Sequence, residues 1–143
     1  IGVPPEQIVI GAAFYARIWE EVPNINNGLF QPGKFKYAIG YNNFERLDPG
    51  YEYYWDDVAK APYAYNKEKE YYLSYDSPKS VTHKTQYAKE KKLKGIMFWQ
   101  LANDNWQIDF FHCFSILKIE FFKIFGSNFA KKKNFQHKFF KIF

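Results

Sequence analysis

The sequence predicts an α/β fold in which two parallel strands are joined through a helix, with a second, antiparallel sheet inserted between the first strand and that helix. Three observations carry this expectation. Apolar runs at Ile8 to Phe14 and Ile96 to Leu101 have the length and the β-branched or aromatic make-up of buried strands. Between them, Tyr75-Asp76-Ser77-Pro78 is a helix start, with Ser77 or Asp76 as N-cap and Pro78 at the first helical position. The stretch from Ile18 to Leu73 is dense in turn residues and tyrosine, as a small antiparallel sheet would be. Strand, helix and strand in that order form a right-handed parallel crossover, so the sheet has to be an insertion in it.

Taken along the chain, Gly2 to Gln7 is a loop, because Pro4 and Pro5 forbid a regular ladder or a helix interior. In the first strand Gly11, Ala12 and Ala13 are small, as expected where a neighbouring layer approaches closely. It ends in Phe14-Tyr15-Ala16-Arg17, which puts a phenol and a guanidinium at a strand's carboxyl end, where ligand sites gather in parallel α/β folds. Taken alone, the pair reads as a core cap and a solvated cation in preference to a ligand site. Asn24 to Gly28 and Gln31 to Lys34 are turns, Tyr41 to Arg46 one short helix. Tyr51 to Trp55, Ala61 to Tyr65 and Glu70 to Tyr75 are strands with a turn at Asn66 to Lys69, together a sheet rich in exposed tyrosine. The helix runs to about Lys92 with Val81, Thr85 and Ala88 on its inner face. Leu93-Lys94-Gly95 then turns the chain into the last strand, read as buried on both faces. Trp99, Gln100, Asn103 and Asp104 at its polar end are the residues to watch for chemistry, although this stretch alone reads better as a core strand followed by an ordinary turn.

Composition narrows the function classes. All 12 Tyr and all 4 Trp lie at or before Trp106, whereas 11 of the 16 Phe lie after it. Charge divides at the same point: 13 Lys plus Arg balance 13 Asp plus Glu up to Trp106, and the remainder supplies the whole net charge of +5. The body therefore offers no basic groove for nucleic acid. Cys113 is the sole cysteine, so no internal disulfide forms, and no Cys/His cluster has metal-ligand spacing. No apolar run reaches the roughly 18 residues of a membrane span. The chain opens at Ile1 without methionine and enters a strand almost at once, which reads as a piece of something longer.

Residues 107–143 are mostly Phe, Lys, Ile and Asn, the residues that adenine- and thymine-rich DNA encodes in almost any frame. The expectation is a non-native frameshift or read-through tail, or a disordered one. The rival is a basic amphipathic helix for membrane surfaces, but Phe and Ile fall on every face of it.

Five stretches in register carry a family resemblance: Gly2-Val3-Pro4-Pro5 with Ile8 to Arg17; Leu29-Phe30-Gln31-Pro32-Gly33-Lys34-Phe35; Trp55-Asp56-Asp57-Val58-Ala59-Lys60-Ala61-Pro62-Tyr63; Tyr75-Asp76 with its helix; and Gly95-Ile96-Met97-Phe98-Trp99. From Ile1 to about Asn105 the chain resembles the C-terminal part of a glycoside hydrolase family 18 chitinase. The resemblance implies a fragment of a (β/α)8 TIM barrel carrying an α+β insertion domain. Residues 1–17 would be the region of the seventh barrel strand, 18–74 the insertion, and 75–106 the seventh helix and eighth strand. It also implies a secreted, extracellular enzyme that needs no cofactor or metal and acts on chitin or N-acetylglucosamine oligosaccharides.

Within the resemblance, Trp99 matches the tryptophan that floors the sugar site, and Tyr15 and Arg17 match cleft-lining residues. Indole suits the apolar C–H face of a pyranose, and phenol and guanidinium suit hydroxyl and acetamido oxygens. Tyr41, Trp55, Tyr63 and Tyr65 are further candidates for the cleft wall, although packing of a small aromatic sheet explains them as well. The family's glutamic acid, which closes an Asp-x-x-Asp-x-Asp-x-Glu motif, has no counterpart in this chain. It would protonate the leaving oxygen while the substrate's acetamido group attacks the anomeric carbon. The chain alone is expected to be inactive; a chitin-binding module that never catalyses is the alternative. Ser77 stands where the family often has a second acid.

Overall fold

The computed structural model describes residues 2–103, which form two sheets and one α-helix. In chain order the elements are β1 (Val9–Ala13), β2 (Tyr15–Glu20), β3 (Lys34–Gly40), β4 (Tyr51–Asp56), β5 (Ala61–Asn66), β6 (Tyr71–Ser74), α1 (Pro78–Glu90) and β7 (Gly95–Trp99). β1 and β7 pair in parallel, Val9 opposite Gly95 and Ala13 opposite Trp99. The other five strands make an antiparallel sheet in the order β3-β2-β6-β5-β4. The insertion expected between the first strand and the helix is therefore present as one continuous sheet.

α1 starts where the sequence places it. The Ser77 hydroxyl accepts the Ser80 N–H at 3.3 Å and the Ser80 hydroxyl accepts the Ser77 N–H at 2.9 Å, a reciprocal cap with Pro78 behind it. Its inner face buries Val81, Thr85 and Ala88, and Val81 packs with Ala12, Phe14 and Ile96 into the first core. A second core of Ala16, Ile18, Ala64 and Leu73 lies under one face of the five-stranded sheet.

Asp76 ties the helix to the parallel pair. Its buried carboxylate accepts the Ala13 N–H at 2.8 Å, the Ser80 hydroxyl at 2.7 Å and the Lys84 ammonium at 2.6 Å. Lys84 also donates to the Gly11 carbonyl at 3.0 Å. Backbone groups of β1 that point away from β7 thus find partners on α1 and on Asp76 just before it, as buried polar groups must.

Several expectations are corrected. Tyr15, Ala16 and Arg17 do not end the first strand; they begin β2 and pair with β3 and β6. No Gly or Pro separates Ala13 from Tyr15, so the change of sheet leaves no breaker to read. β7 is not buried on both faces: α1 covers Ile96, while Met97 and Trp99 on the opposite side are about half exposed. The tyrosines of the inserted sheet are not generally exposed, since Tyr63 and Tyr65 are buried. β3 was not anticipated, because Lys34 and Lys36 interrupt any apolar pattern there. The expectations for Asp104, Cys113 and the tail at 107–143 lie outside the described residues.

Tyr51 marks a weak point. Its hydroxyl is buried and, among the described residues, has no hydrogen-bond partner; burial, together with Tyr37 and Asp48 nearby, pushes the phenol above its ordinary range. Leaving such a group unpaired costs about 1–3 kcal/mol. Tyr51→Phe is expected to leave stability unchanged or raise it by about 1 kcal/mol in urea melts. A loss of similar size would show that the hydroxyl is satisfied in solution.

Candidate functional site

Strand periodicity places the site. In β2, Ala16 and Ile18 turn into the second core, which sends Tyr15, Arg17 and Trp19 to the opposite face. The Phe14 N–H donates to the Trp99 carbonyl at 2.8 Å, so the crossing from β1 into β2 happens beside the end of β7. Tyr15 then pairs with Gly40 of β3. The Trp99–Gln100 peptide is cis, and a 3-10 turn, Leu101–Asn103, follows it.

These elements enclose a cleft of about 360 Å³ lined by Trp99, Tyr15, Arg17, Phe35, Gly40 and Asn103, with Ala38 and Ile39. Trp99 is 50% exposed and Phe35 57% exposed, so two large aromatic surfaces are available in one concave site. The Arg17 guanidinium lies 6.0 Å from the Phe35 ring centroid. Among the described residues it has no carboxylate partner and is free to meet a ligand oxygen. Such a surface, with one phenol, one guanidinium and flat apolar rings, can hold a ligand that has both apolar faces and many oxygens.

A larger cavity of about 680 Å³ lies between the inserted sheet and α1. Tyr15 and Arg17 reach its rim, but its other polar groups include the Asp76–Lys84 pair, which is already satisfied. At its side, burial pushes the Tyr75 phenol up to about 12, and that neutral hydroxyl offers no base near neutral pH. The cleft at Trp99 is the better candidate because it joins exposed rings to an uncommitted cation. No group of three or more His, Cys, Asp or Glu side chains that could hold a metal occurs among the described residues.

The structure brings Trp99, Tyr15 and Arg17 together, with Asn103 beside them. It does not bring the proposed wall residues there. Tyr41 packs on the first core, its N–H donating to the Phe14 carbonyl at 3.0 Å and its ring 4.7 Å from Phe44. Trp55 is covered by α1, with the Lys79 ammonium 3.7 Å above its ring and His83 at 5.8 Å. Tyr63 stacks between Tyr54 at 5.2 Å and Tyr72 at 5.7 Å. Tyr65 is buried, its hydroxyl donating to the Val22 carbonyl at 2.7 Å. Aromatic packing accounts for all four. Phe35, by contrast, was missed as a site residue; its signal is an aromatic flanked by lysines on a strand that pairs with β2.

The geometry has recognisable relatives. The family model described as Glycosyl hydrolases family 18 matches residues 1–104. Chitinase A1 of Niallia circulans is 38% identical over 114 residues, an overlap of 72% of this chain and 16% of the relative. The solved glycoside hydrolase family 18 N-acetylglucosaminidase of Paenibacillus barengoltzii shares 42% identity at a TM-score of 0.65, covering 73% of this chain and 32% of that one. The class V chitinase of Nicotiana tobaccum, solved in complex with NAG4, shares 25% identity at a TM-score of 0.62, again over 73% of this chain and 32% of that one. The chain spans about a third or less of the length of these relatives.

Proposed function

The chain belongs to glycosyl hydrolases family 18, its parallel pair being part of that family's barrel and its antiparallel sheet the insertion, and on this footing we propose that the cleft at Trp99 binds β-1,4-linked N-acetylglucosamine units. The segment would supply part of the substrate cleft of a secreted enzyme that hydrolyses chitin. The observation that carries the reading is the convergence of Trp99 from one sheet with Tyr15 and Arg17 from the other. The indole stacks against a sugar's C–H face, the phenol and guanidinium bond its hydroxyl and acetamido oxygens, and Phe35 lengthens the apolar floor. The NAG4 complex of the tobacco relative supports the ligand class.

Cleavage requires a proton donor for the leaving oxygen, after which the substrate's own acetamido group can act as nucleophile without metal or cofactor. No residue lining the cleft is a carboxylic acid. Without general-acid assistance the rate falls by about 10²- to 10⁴-fold. The chain by itself is therefore expected to bind and not to cut.

The test is direct. Calorimetric titration of the full chain with tetra-N-acetylchitotetraose, followed by chromatography of the sugar, should give saturable binding and unchanged tetramer. Release of shorter oligosaccharides would refute the lack of a proton donor, and absence of binding would refute the cleft.

A further inference from the structure

Trp99 stands on one sheet and Tyr15 and Arg17 on another, so the width of the cleft depends on what ties the sheets together beside it. Two backbone bonds contribute: Phe14 N–H to the Trp99 carbonyl at 2.8 Å and Tyr41 N–H to the Phe14 carbonyl at 3.0 Å. Neither holds the turn that follows Trp99. That turn is reached by a side chain from the insertion, Asn42, whose Nδ2 donates to the Ala102 carbonyl at 3.0 Å. Asn42 Oδ1 accepts from Asn43 Nδ2 at 2.9 Å, which orients the amide so that its donor faces the turn. Because the Asn103 N–H bonds back to the Gln100 carbonyl at 2.9 Å, a hold on Ala102 is a hold on the whole of Leu101–Asn103.

Gly40 makes the close approach possible. A Cβ at this position would lie 2.8 Å from Asn42 Oδ1 and 2.9 Å from Asn103 Cγ. Its backbone, at φ −64° and ψ 146°, suits any residue, so the glycine answers to space and not to conformation. Asn42 and Gly40 together act as a latch from the inserted sheet onto the end of β7.

We propose that Asn42 is a positioning residue for the cleft: seated against Gly40, it fixes the turn after Trp99 and thereby the distance between the Trp99 floor and the wall of Tyr15 and Arg17. The role rests on the cleft being the sugar site. Ligand affinity should then depend on a side chain that does not line the cleft.

Two lesions of different kind test it in the full chain. Asn42→Asp keeps the size but turns a carboxylate oxygen toward the Ala102 carbonyl; Gly40→Ala forces the Asn42 and Asn103 amides apart. Ser77→Ala, which loses a helix cap away from the cleft, controls for general destabilisation. The readouts are amide hydrogen exchange over residues 100–103 and the dissociation constant for tetra-N-acetylchitotetraose. Both lesions should speed exchange in that segment and weaken binding about 3- to 10-fold, whereas Ser77→Ala should lower the melting temperature with binding unchanged. Unaltered exchange in Asn42→Asp, or unaltered affinity beside a wild type that binds, overturns the role. If the wild type binds no oligosaccharide, the sugar reading fails and the positioning role goes with it, while the exchange data record separately whether the turn is held.

Discussion

Trp99→Ala is expected to weaken binding of tetra-N-acetylchitotetraose by the chain about 30-fold or more, the loss typical of an aromatic anchor truncated at the centre of a contact. The fold should survive, with a smaller loss of melting temperature than removal of a fully buried tryptophan gives. The indole is 50% exposed, outside the buried clusters of either core, and the backbone bond that joins β7 to Phe14 uses the Trp99 carbonyl, which alanine retains. Half of the ring is covered, so the truncation costs less than the roughly 3–5 kcal/mol of removing a fully buried tryptophan. The two measurements therefore separate: calorimetry reports a large change, thermal unfolding a smaller one. Trp99→Phe keeps a flat apolar ring of smaller area and should recover part of the affinity. If Trp99→Ala bound as tightly as wild type, indole stacking would not be the basis of recognition, and the cleft would have to act through Arg17 and Tyr15 alone.

The largest expected effect on stability belongs to Asp76→Ala. The carboxylate is buried and serves three donors at once, the Ala13 N–H, the Ser80 hydroxyl and the Lys84 ammonium. Its removal orphans a backbone N–H at the carboxyl end of β1 and strips the counter-charge from Lys84. Breaking a buried pair typically costs about 3–5 kcal/mol. The Lys84 side chain is 35% exposed and can recover some hydration, which places the expectation near the lower end, about 3 kcal/mol. For a domain of this size that lowers the melting temperature by on the order of 15 °C. Asp76→Asn retains an acceptor for Ala13 and should lose less. Urea unfolding monitored by circular dichroism measures both; an Asp76→Ala loss below about 1 kcal/mol would mean that water replaces the carboxylate without penalty and that the helix is held by its apolar face.

The elements that could be read in advance are those whose signal is local. The start of α1 was legible because Ser77 and Pro78 announce a cap through their own backbone chemistry, and its inner face because Val81, Thr85 and Ala88 recur at helical spacing. Trp99 stood out as the end of an apolar run. β3 was illegible because its strand character comes from pairing with β2, while its side chains, Lys34 and Lys36 among them, form ion pairs with Glu21 and Glu20 on the surface. Trp55 and Tyr63, expected at the cleft wall, pack elsewhere for a related reason, whereas Tyr41 begins the 3-10 helix Tyr41–Arg46 and packs on the first core. An aromatic residue on a strand suits either a cleft or a sheet face, and only register shows which: Tyr63 opposes Tyr54, so the two rings stack on each other and on Tyr72.

By itself the sequence determined the order of elements, the existence of an insertion between strand and helix, the family, and the three residues Trp99, Tyr15 and Arg17 as the ones to follow. The order of elements and the insertion follow from periodicity and capping, which act over a few residues at a time; the family and the three residues follow from the resemblance carried by five stretches in register. The tertiary structure alone decided that Phe35 lies beside these three and that Asn42 reaches the turn after Trp99 across Gly40. The physical reason is that the cleft lies between two sheets meeting at Phe14, where ring placement depends on strand register and on hydrogen bonds between distant segments. No short stretch of chain encodes such contacts.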